Sequence, residues 1–468
     1  MRYVSTRGKA PSLGFEDVLL TGLARDGGLY LPVEWPQLSR GEIARFAGQP
    51  YEDVALQVIR PFVGGEIDDA ALSSIIHEAY ATFRHRAIAP LVQIGPSDWV
   101  LELFHGPTLA FKDVAMQVLA RLMDRALTRR SKRATIVGAT SGDTGGAAVE
   151  AFRGRQSIDI FILYPHGRVS DVQRRQMTTA ADGNVYALAV DGTFDDCQNI
   201  VKALFNDLEL RDRLGLTGVN SINWARLIAQ IVYYFTSAVA LGAPERRVSF
   251  TVPTGNFGDI FAGYAAARMG LPIERLVVAT NVNDILVRTL EAGLYEPKGV
   301  VATYSPSMDI QISSNFERLL FEIAGRNPVR LNEEMTALRE EGRFALEHEE
   351  LRQLRELFDA GRTSEEETIA EIRRLERETG YLADPHTAVG TAVARRVARD
   401  YSVPMITLST AHPAKFPDAI REAVGHPPVT PDSVARQAAL PERIHRVPGD
   451  VAMVAAFVEA HAGRRSTS

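Results

Sequence analysis

Cysteine and lysine are both scarce in this 468-residue chain: Cys197 is the one cysteine, and lysine occurs only at 9, 112, 132, 202, 298 and 415. A lone cysteine forms no internal disulfide, which fits a reducing compartment. Its surroundings, TFDDCQNIVKALF, have helical spacing, and a packed thiol is expected. No apolar run is long enough to span a bilayer. The N-terminus, MRYVSTRGKAPSLGFEDVLL, lacks the apolar block of a signal peptide. The cytoplasm is the expected location, without membrane attachment. An excess of positive charge is missing too: 52 basic and 58 acidic residues give a net charge of −6. That balance argues against a nucleic-acid footprint.

The length points to two or three domains. Residues 1–95 read as a separate N-terminal domain, mainly helical, with a Gly/Pro-rich entry, DGGLYLPVEWPQL. A strand–helix rhythm begins near residue 99. ATIVGA, IDIFILYP, NVYALAV, RVSFTV, RLVVATN and VPMITLS are apolar runs, mostly rich in β-branched residues, with helical patterns between them. This is the signature of an α/β fold with doubly wound parallel sheets. So many strands favour two lobes around a cleft, over about 96–430. A charged helical excursion interrupts the rhythm at about 330–380, and a C-terminal helical tail is expected over 431–468. The last dozen residues, ending GRRSTS, are expected to fray.

Arginine supplies nearly all the positive charge, so Lys112 stands out in LELFHGPTLAFKDVAM. Lysine can lose its proton and act as a nucleophile or base, which arginine effectively cannot. Three loops at strand ends add chemistry, because ligands of open α/β sheets bind there. GATSGDTGGAA (138–148) offers hydroxyls and a helix N-terminus suited to a carboxylate or phosphate, though a plain capped turn explains it too. PTGNFGD (253–259) has the composition of a backbone-amide nest for a phosphate, with a simple turn as the alternative. LSTAHPAKFPDAI (408–420) places Ser409 and Thr410 at a strand end, with His412 and Lys415 following. A phosphate nest, a lysine able to form an imine and a hydroxyl for a pyridine nitrogen together suit pyridoxal phosphate. No metal is expected.

HGPTLAFKD, TSGDTG, NSINWARLIAQ, PTGNFGD, SMDIQISSNFERLLFE and TAHPAKF, with the early DGGLYLP, resemble the threonine synthase family of bacterial and fungal type. The motifs run in order from about residue 26 to about 417. The family belongs to the fold-type-II pyridoxal-phosphate enzymes, similar to the tryptophan synthase β chain and cysteine synthase. The resemblance implies a carbon–oxygen lyase of threonine biosynthesis that turns O-phospho-L-homoserine and water into L-threonine and phosphate, by γ-elimination and β-addition.

In that reading Lys112 forms the aldimine and shuttles protons. Thr254, Gly255, Asn256, Phe257 and Gly258 cradle the cofactor phosphate. Thr410 meets the pyridine nitrogen, with Ser409 as its fallback. Thr140, Ser141, Gly142, Asp143 and Thr144 clasp the substrate carboxylate. Several relatives carry SGNTG where this chain has Asp143. The substrate phosphate needs its own cation: Arg226, Lys415 and Arg318 are the candidates, with Asn223 and Asn315 as donors, and Arg226 and Lys415 are preferred with Asn223. Structural roles for Arg226 and Arg318 on their helices remain the alternative.

Two rival functions share much of this machinery: a phospho-lyase releasing 2-oxobutyrate from the same substrate, and a non-catalytic binder of pyridoxal phosphate. A monomer or homodimer is expected. Asp26, Gly27 and Gly28 form either a turn or part of the site entrance.

Overall fold

The computed structural model describes residues 1–463. Two mostly parallel sheets organise it. The larger has six strands in the order Phe358–Arg362, Ile273–Thr280, Val248–Pro253, Met405–Ser409, Asp98–Glu102 and Leu91–Gln93. All neighbours are parallel except the last pair. The smaller is wholly parallel, in the order His445–Pro448, Val185–Asp191, Ile158–Pro165, Ala134–Ala139 and Leu216–Thr217. The strand Ile158–Pro165 is buried at every position, as expected of a strand covered on both faces. The six expected apolar runs all form strands, with their ends shifted by a few residues at most.

Two segments depart from a purely helical expectation. The charged excursion forms the helices Pro328–Glu340, His348–Leu357 and Glu365–Thr379, but places the strand Phe358–Arg362 between them. The C-terminal tail has the helices Asp432–Ala438 and Val451–His461, and also supplies the strand His445–Pro448. Each of these strands lies at a sheet edge, paired on one side only. An edge strand needs less apolar sequence than a central one. The tail's final helix is anchored by buried Val454 and Val458, so the expected fraying does not extend to residues 457–461. Residues 464–468 lie outside the described part.

The first 95 residues are mainly helical, with a small antiparallel pair, Tyr3–Ser5 and Tyr30–Pro32. They share one continuous apolar core with the large lobe: Tyr3, Phe15 and Phe62 belong to the same cluster as Trp224, Phe250 and Leu408. Asp26 makes the Gly27–Gly28 segment a turn. Its carboxylate accepts from Ser5 Oγ (2.7 Å), Gly28 N (3.0 Å), Lys9 N (2.9 Å) and Ala10 N (2.7 Å). Cys197 is buried in the small lobe's apolar cluster, where burial pushes its thiol up to about 11. That environment leaves it inert as a nucleophile at neutral pH. Among the described residues, no helix is long and apolar enough to cross a membrane.

Arg318 ties these parts together. It is fully buried and has no carboxylate hydrogen-bonded to it among the described residues. Its Nε donates to Tyr30 O (3.1 Å), Nη2 to Ile222 O (2.6 Å) and Nη1 to Asn315 Oδ1, while the guanidinium lies 5.5 Å from the Trp224 ring. Arg318→Met leaves those buried acceptors unpartnered. It should lower unfolding free energy by roughly 2–4 kcal/mol in urea titrations.

Candidate active site

The two sheets present strand ends and loops to a common centre at Lys112. The loop before it is folded back by Asp113, which accepts from Thr108 N (2.8 Å) and Thr108 Oγ1 (2.7 Å). A Cβ at Gly106 would stand 2.4 Å from Asp113 Cβ, so glycine permits this closure. Lys112 is thereby set at the start of the helix Lys112–Arg129. Ala110 bridges Ala411, and Phe111 N donates to Thr410 O (2.8 Å). Thr410 therefore lies beside the lysine.

Lys112 is buried, with Nζ 3.3 Å from Ser307 Oγ and 3.7 Å from Asp143 Oδ2. Burial lowers its pKa, and the nearby Lys415 and Arg226 lower it further; Asp143 opposes them. The positive end of its own helix also disfavours a charged amine there.

Asp143 opens the helix Asp143–Phe152. Burial alone would raise its pKa, but Lys415 and Lys112 hold it well below the usual carboxylate range. Its Oδ1 lies 2.7 Å from Lys415 Nζ and accepts from Gln173 Nε2 at 3.0 Å. Lys415 is fully buried, and its Nζ also donates to Thr108 O (2.9 Å) and Gln176 Oε1 (3.1 Å). An ammonium has three protons, so these contacts occupy all of them.

Around Asp143, Thr140 Oγ1 accepts from Gly142 N (2.9 Å) and Gly145 N (2.8 Å), which shapes the turn. Gly142 has φ of 141°, and a Cβ there would meet Gln173 at 2.4 Å. Ser141 and Thr144 are half-buried, with hydroxyls that bond to nothing else among the described residues.

The segment after Val248–Pro253 forms the amide nest. Phe257 is left-handed (φ 62°) at the start of the helix Gly258–Arg268. The N–H groups of Gly255, Asn256, Phe257 and Gly258 donate to no acceptor among the described residues. The carbonyls point away into the protein: Gly255 O accepts from Ser313 Oγ (2.6 Å), and Asn256 O from Asn315 N and Nδ2 (3.0 Å each). A Cβ at Gly255 would meet Ser307 O at 2.5 Å. Thr254 faces elsewhere, with its hydroxyl donating to Val252 O at 2.6 Å.

The other anticipated residues divide clearly. Arg226 is buried, donates from Nη1 to Val219 O (3.1 Å) and leaves Nε without a partner among the described residues. Burial pushes its pKa down to about 10, so it stays charged at neutral pH. Asn223 instead caps the helix Trp224–Ala240, accepting from Ala225 N (3.0 Å), and donates to Leu19 O (3.0 Å). Ser409 Oγ is engaged by Thr387 Oγ1 (2.9 Å) and Tyr381 OH (3.2 Å), whereas the Thr410 hydroxyl bonds to nothing among the described residues. The structure also brings in Ser307 and, behind it, His386, neither singled out from sequence. Both lie in readable stretches: Ser307 in the SMDIQISSNFERLLFE neighbourhood, and His386 in ADPHTAVG, whose Asp-Pro pair is a helix-start signal.

These features fit pyridoxal phosphate: four free amides for a phosphate, an uncommitted hydroxyl for the ring and an amine biased toward neutrality. The comparisons agree. The family model "Pyridoxal-phosphate dependent enzyme" matches residues 89–407. Models of the threonine synthase N terminus and C-terminal region match residues 2–80 and 387–458. By fold and site, the chain is a pyridoxal-phosphate-dependent enzyme.

A threonine synthase of Pseudomonas aeruginosa is 52% identical, aligned over 99% of each chain. That of Saccharomyces cerevisiae is 44% identical over 90% of this chain and 89% of its own. The crystal structure of pyridoxal-phosphate-bound threonine synthase from Brucella melitensis superposes with a TM-score of 0.97 at 58% identity, covering 99% of this chain and all (100%) of that one. The chain belongs to the threonine synthase family.

Asp259, next to the nest, carries a test of the site's electrostatics. Burial raises its pKa to about 7, although Tyr233 and Tyr234 hydroxyls donate to it, and Oδ2 has no partner among the described residues. A carboxyl whose folded pKa is raised contributes stability in full below its unfolded value. That stability is lost as pH rises toward 7, by up to about 1.4 kcal/mol per pH unit. In cofactor-free protein, Asp259→Asn should therefore flatten the decline in unfolding free energy between about pH 4 and 7.

Proposed function

We propose that the chain converts O-phospho-L-homoserine and water into L-threonine and phosphate, with Lys112 as the reacting amine. The observation that carries this reading is a buried cation, Arg226, left without a carboxylate beside Lys112. Lys112 and Lys415 flank one firmly ionised carboxylate, Asp143, while Arg226, near enough to Lys112 to lower its pKa, hydrogen-bonds to no carboxylate among the described residues. A site built this way is complete only when it binds anions.

Bound at Lys112, pyridoxal phosphate supplies an aldehyde for amines and a ring that withdraws electrons from the substrate's Cα. The amides of Gly255, Asn256, Phe257 and Gly258 hold its phosphate at a helix N-terminus. Thr410, rather than the engaged Ser409, offers a neutral hydroxyl to the ring nitrogen. Ser141 and Thr144, with the first amides of the helix Asp143–Phe152, receive the substrate's carboxylate. Thr140 and Gly142 shape that loop. Arg226 holds the substrate's phosphate. Lys415 anchors Asp143 and the Thr108 carbonyl, so its part is positioning. Lys112 Nζ, biased toward its neutral form, removes the Cα proton and serves the later proton movements. Residues 1–95 act as a wall of the catalytic body, which their share of the common core supports. The protein works in the cytoplasm, as a monomer or homodimer.

Lys112→Ala should abolish both the near-visible absorbance of the cofactor-loaded protein and threonine formation from O-phosphohomoserine. 2-Oxobutyrate and ammonia without threonine, from the unaltered protein, would assign it instead as a phospho-lyase. Arg226→Gln should raise KM for O-phosphohomoserine by roughly 10- to 100-fold in steady-state assays, with the cofactor absorbance unchanged.

A further inference from the structure

Ser307 and His386 form a second line of contacts to Lys112. Ser307 lies in the short turn Pro306–Met308 and faces two parts of the site at once. Its Oγ accepts from Lys112 Nζ (3.3 Å) and lies 3.5 Å from Asp143 Oδ2, while its carbonyl closes against Gly255 of the nest. The surrounding loop is braced from within. Asp309 accepts from Thr303 N (2.9 Å), Thr303 Oγ1 (2.7 Å), Asn281 Nδ2 (2.8 Å) and Asn283 Nδ2 (3.1 Å).

The serine's backbone is held from outside this loop: Ser307 N donates to His386 Nε2 at 3.3 Å. A backbone N–H can only donate, so Nε2 must carry its lone pair, and the ring proton resides on Nδ1. Asp384 Oδ1 stands 2.8 Å from that Nδ1. Asp384 is fully buried, caps the helix Pro385–Arg396 and also accepts from Thr387 Oγ1, which in turn meets Ser409 Oγ. The contacts thus run from Lys112 through Ser307, His386, Asp384 and Thr387 to the strand end carrying Thr410.

The residue types are those of a hydrolase triad, but the geometry is not. His386 holds the serine's backbone N–H rather than its hydroxyl, so it does not activate Ser307 as a nucleophile. We infer that Ser307 is a further catalytic residue, whose hydroxyl holds the Lys112 amine in line for proton transfer, and that His386 and Asp384 are its positioning residues. The inference rests on the reading of Lys112 as the reacting amine. It is needed because a lysine side chain has four rotatable bonds, and Asp143, at 3.7 Å and shared with Lys415, restrains Lys112 only loosely.

The test uses cofactor-loaded protein and follows exchange of the Cα proton of L-alanine, an amino acid without a leaving group, in deuterated water by NMR. Thermal melting and cofactor content confirm that each variant is folded. Ser307→Ala and His386→Leu should each slow exchange by about 10- to 100-fold, and the double variant should be no slower than the worse single one. His386→Gln, which keeps an acceptor for Ser307 N–H, should recover most of the rate. Because Ser307 Oγ accepts from Lys112 and favours its protonated form, Ser307→Ala should also move the pH midpoint of the cofactor absorbance downward, by about half a unit or more. Exchange within twofold of the unaltered protein in Ser307→Ala, or effects that multiply in the double variant, would overturn the inference. Exchange that persists in Lys112→Ala would instead overturn the underlying reading of the lysine.

Discussion

The carboxylate of Asp143, buried between two lysines, is the interaction on which the site depends. An ionised aspartate in so dry a place is tenable only with cations against it. Lys415 answers most of that need at 2.7 Å, with its remaining protons on Thr108 and Gln176. Lys112 is left with the weaker share, 3.7 Å from the other oxygen. Two chemically identical side chains are thereby given different surroundings. One is fastened to three acceptors, while the other is buried, held more loosely, and has its pKa lowered by burial and by the cations near it. Asp259 and Asp113, the other carboxyls near this centre, are both pushed up by burial, to about 7 and about 6. Asp113 is still mostly ionised at pH 7 and Asp259 about half so, which leaves Arg226 as the buried cation at this centre with no carboxylate bonded to it among the described residues.

The fold makes this arrangement possible because its reacting groups sit at strand ends and helix starts. The same left-handed Phe257 that starts the helix Gly258–Arg268 turns neighbouring amides toward one point. The hydrogen bond from Phe111 N to Thr410 O fastens the lysine's loop to the strand end that carries the uncommitted Thr410 hydroxyl. Arg318 performs a different task with the same residue type as Arg226. Its donors all end on carbonyl oxygens of the surrounding segments, so it joins them instead of waiting for an anion.

Much of this was legible in the chain itself, for definable reasons. Central strands announce themselves because both faces are buried, as in IDIFILYP. FDAGR and HRVP, at sheet edges, do not, since one ladder suffices to hold them. Lys112 stood out because arginine is the default cation here, and the strand-end loops marked the ligand side of the sheets. Pairings between distant residues were not legible. Nothing local in HPAKF says that Lys415 meets Asp143, or that Asn223 is taken up by a helix cap and Leu19 O. Nor does ADPHTAVG show that its histidine reaches Ser307, a contact created only when the large sheet brings the two segments together.

The central claim is the division of labour between the two buried lysines, and it can be read chemically. Pyridoxal phosphate bound to the protein is fixed by borohydride reduction, the protein is digested, and the pyridoxyl-bearing peptide is located by mass spectrometry. The account predicts the added mass on Lys112 alone, with Lys415 unmodified because Asp143, Gln176 and Thr108 occupy its amine. Label on Lys415 would contradict it.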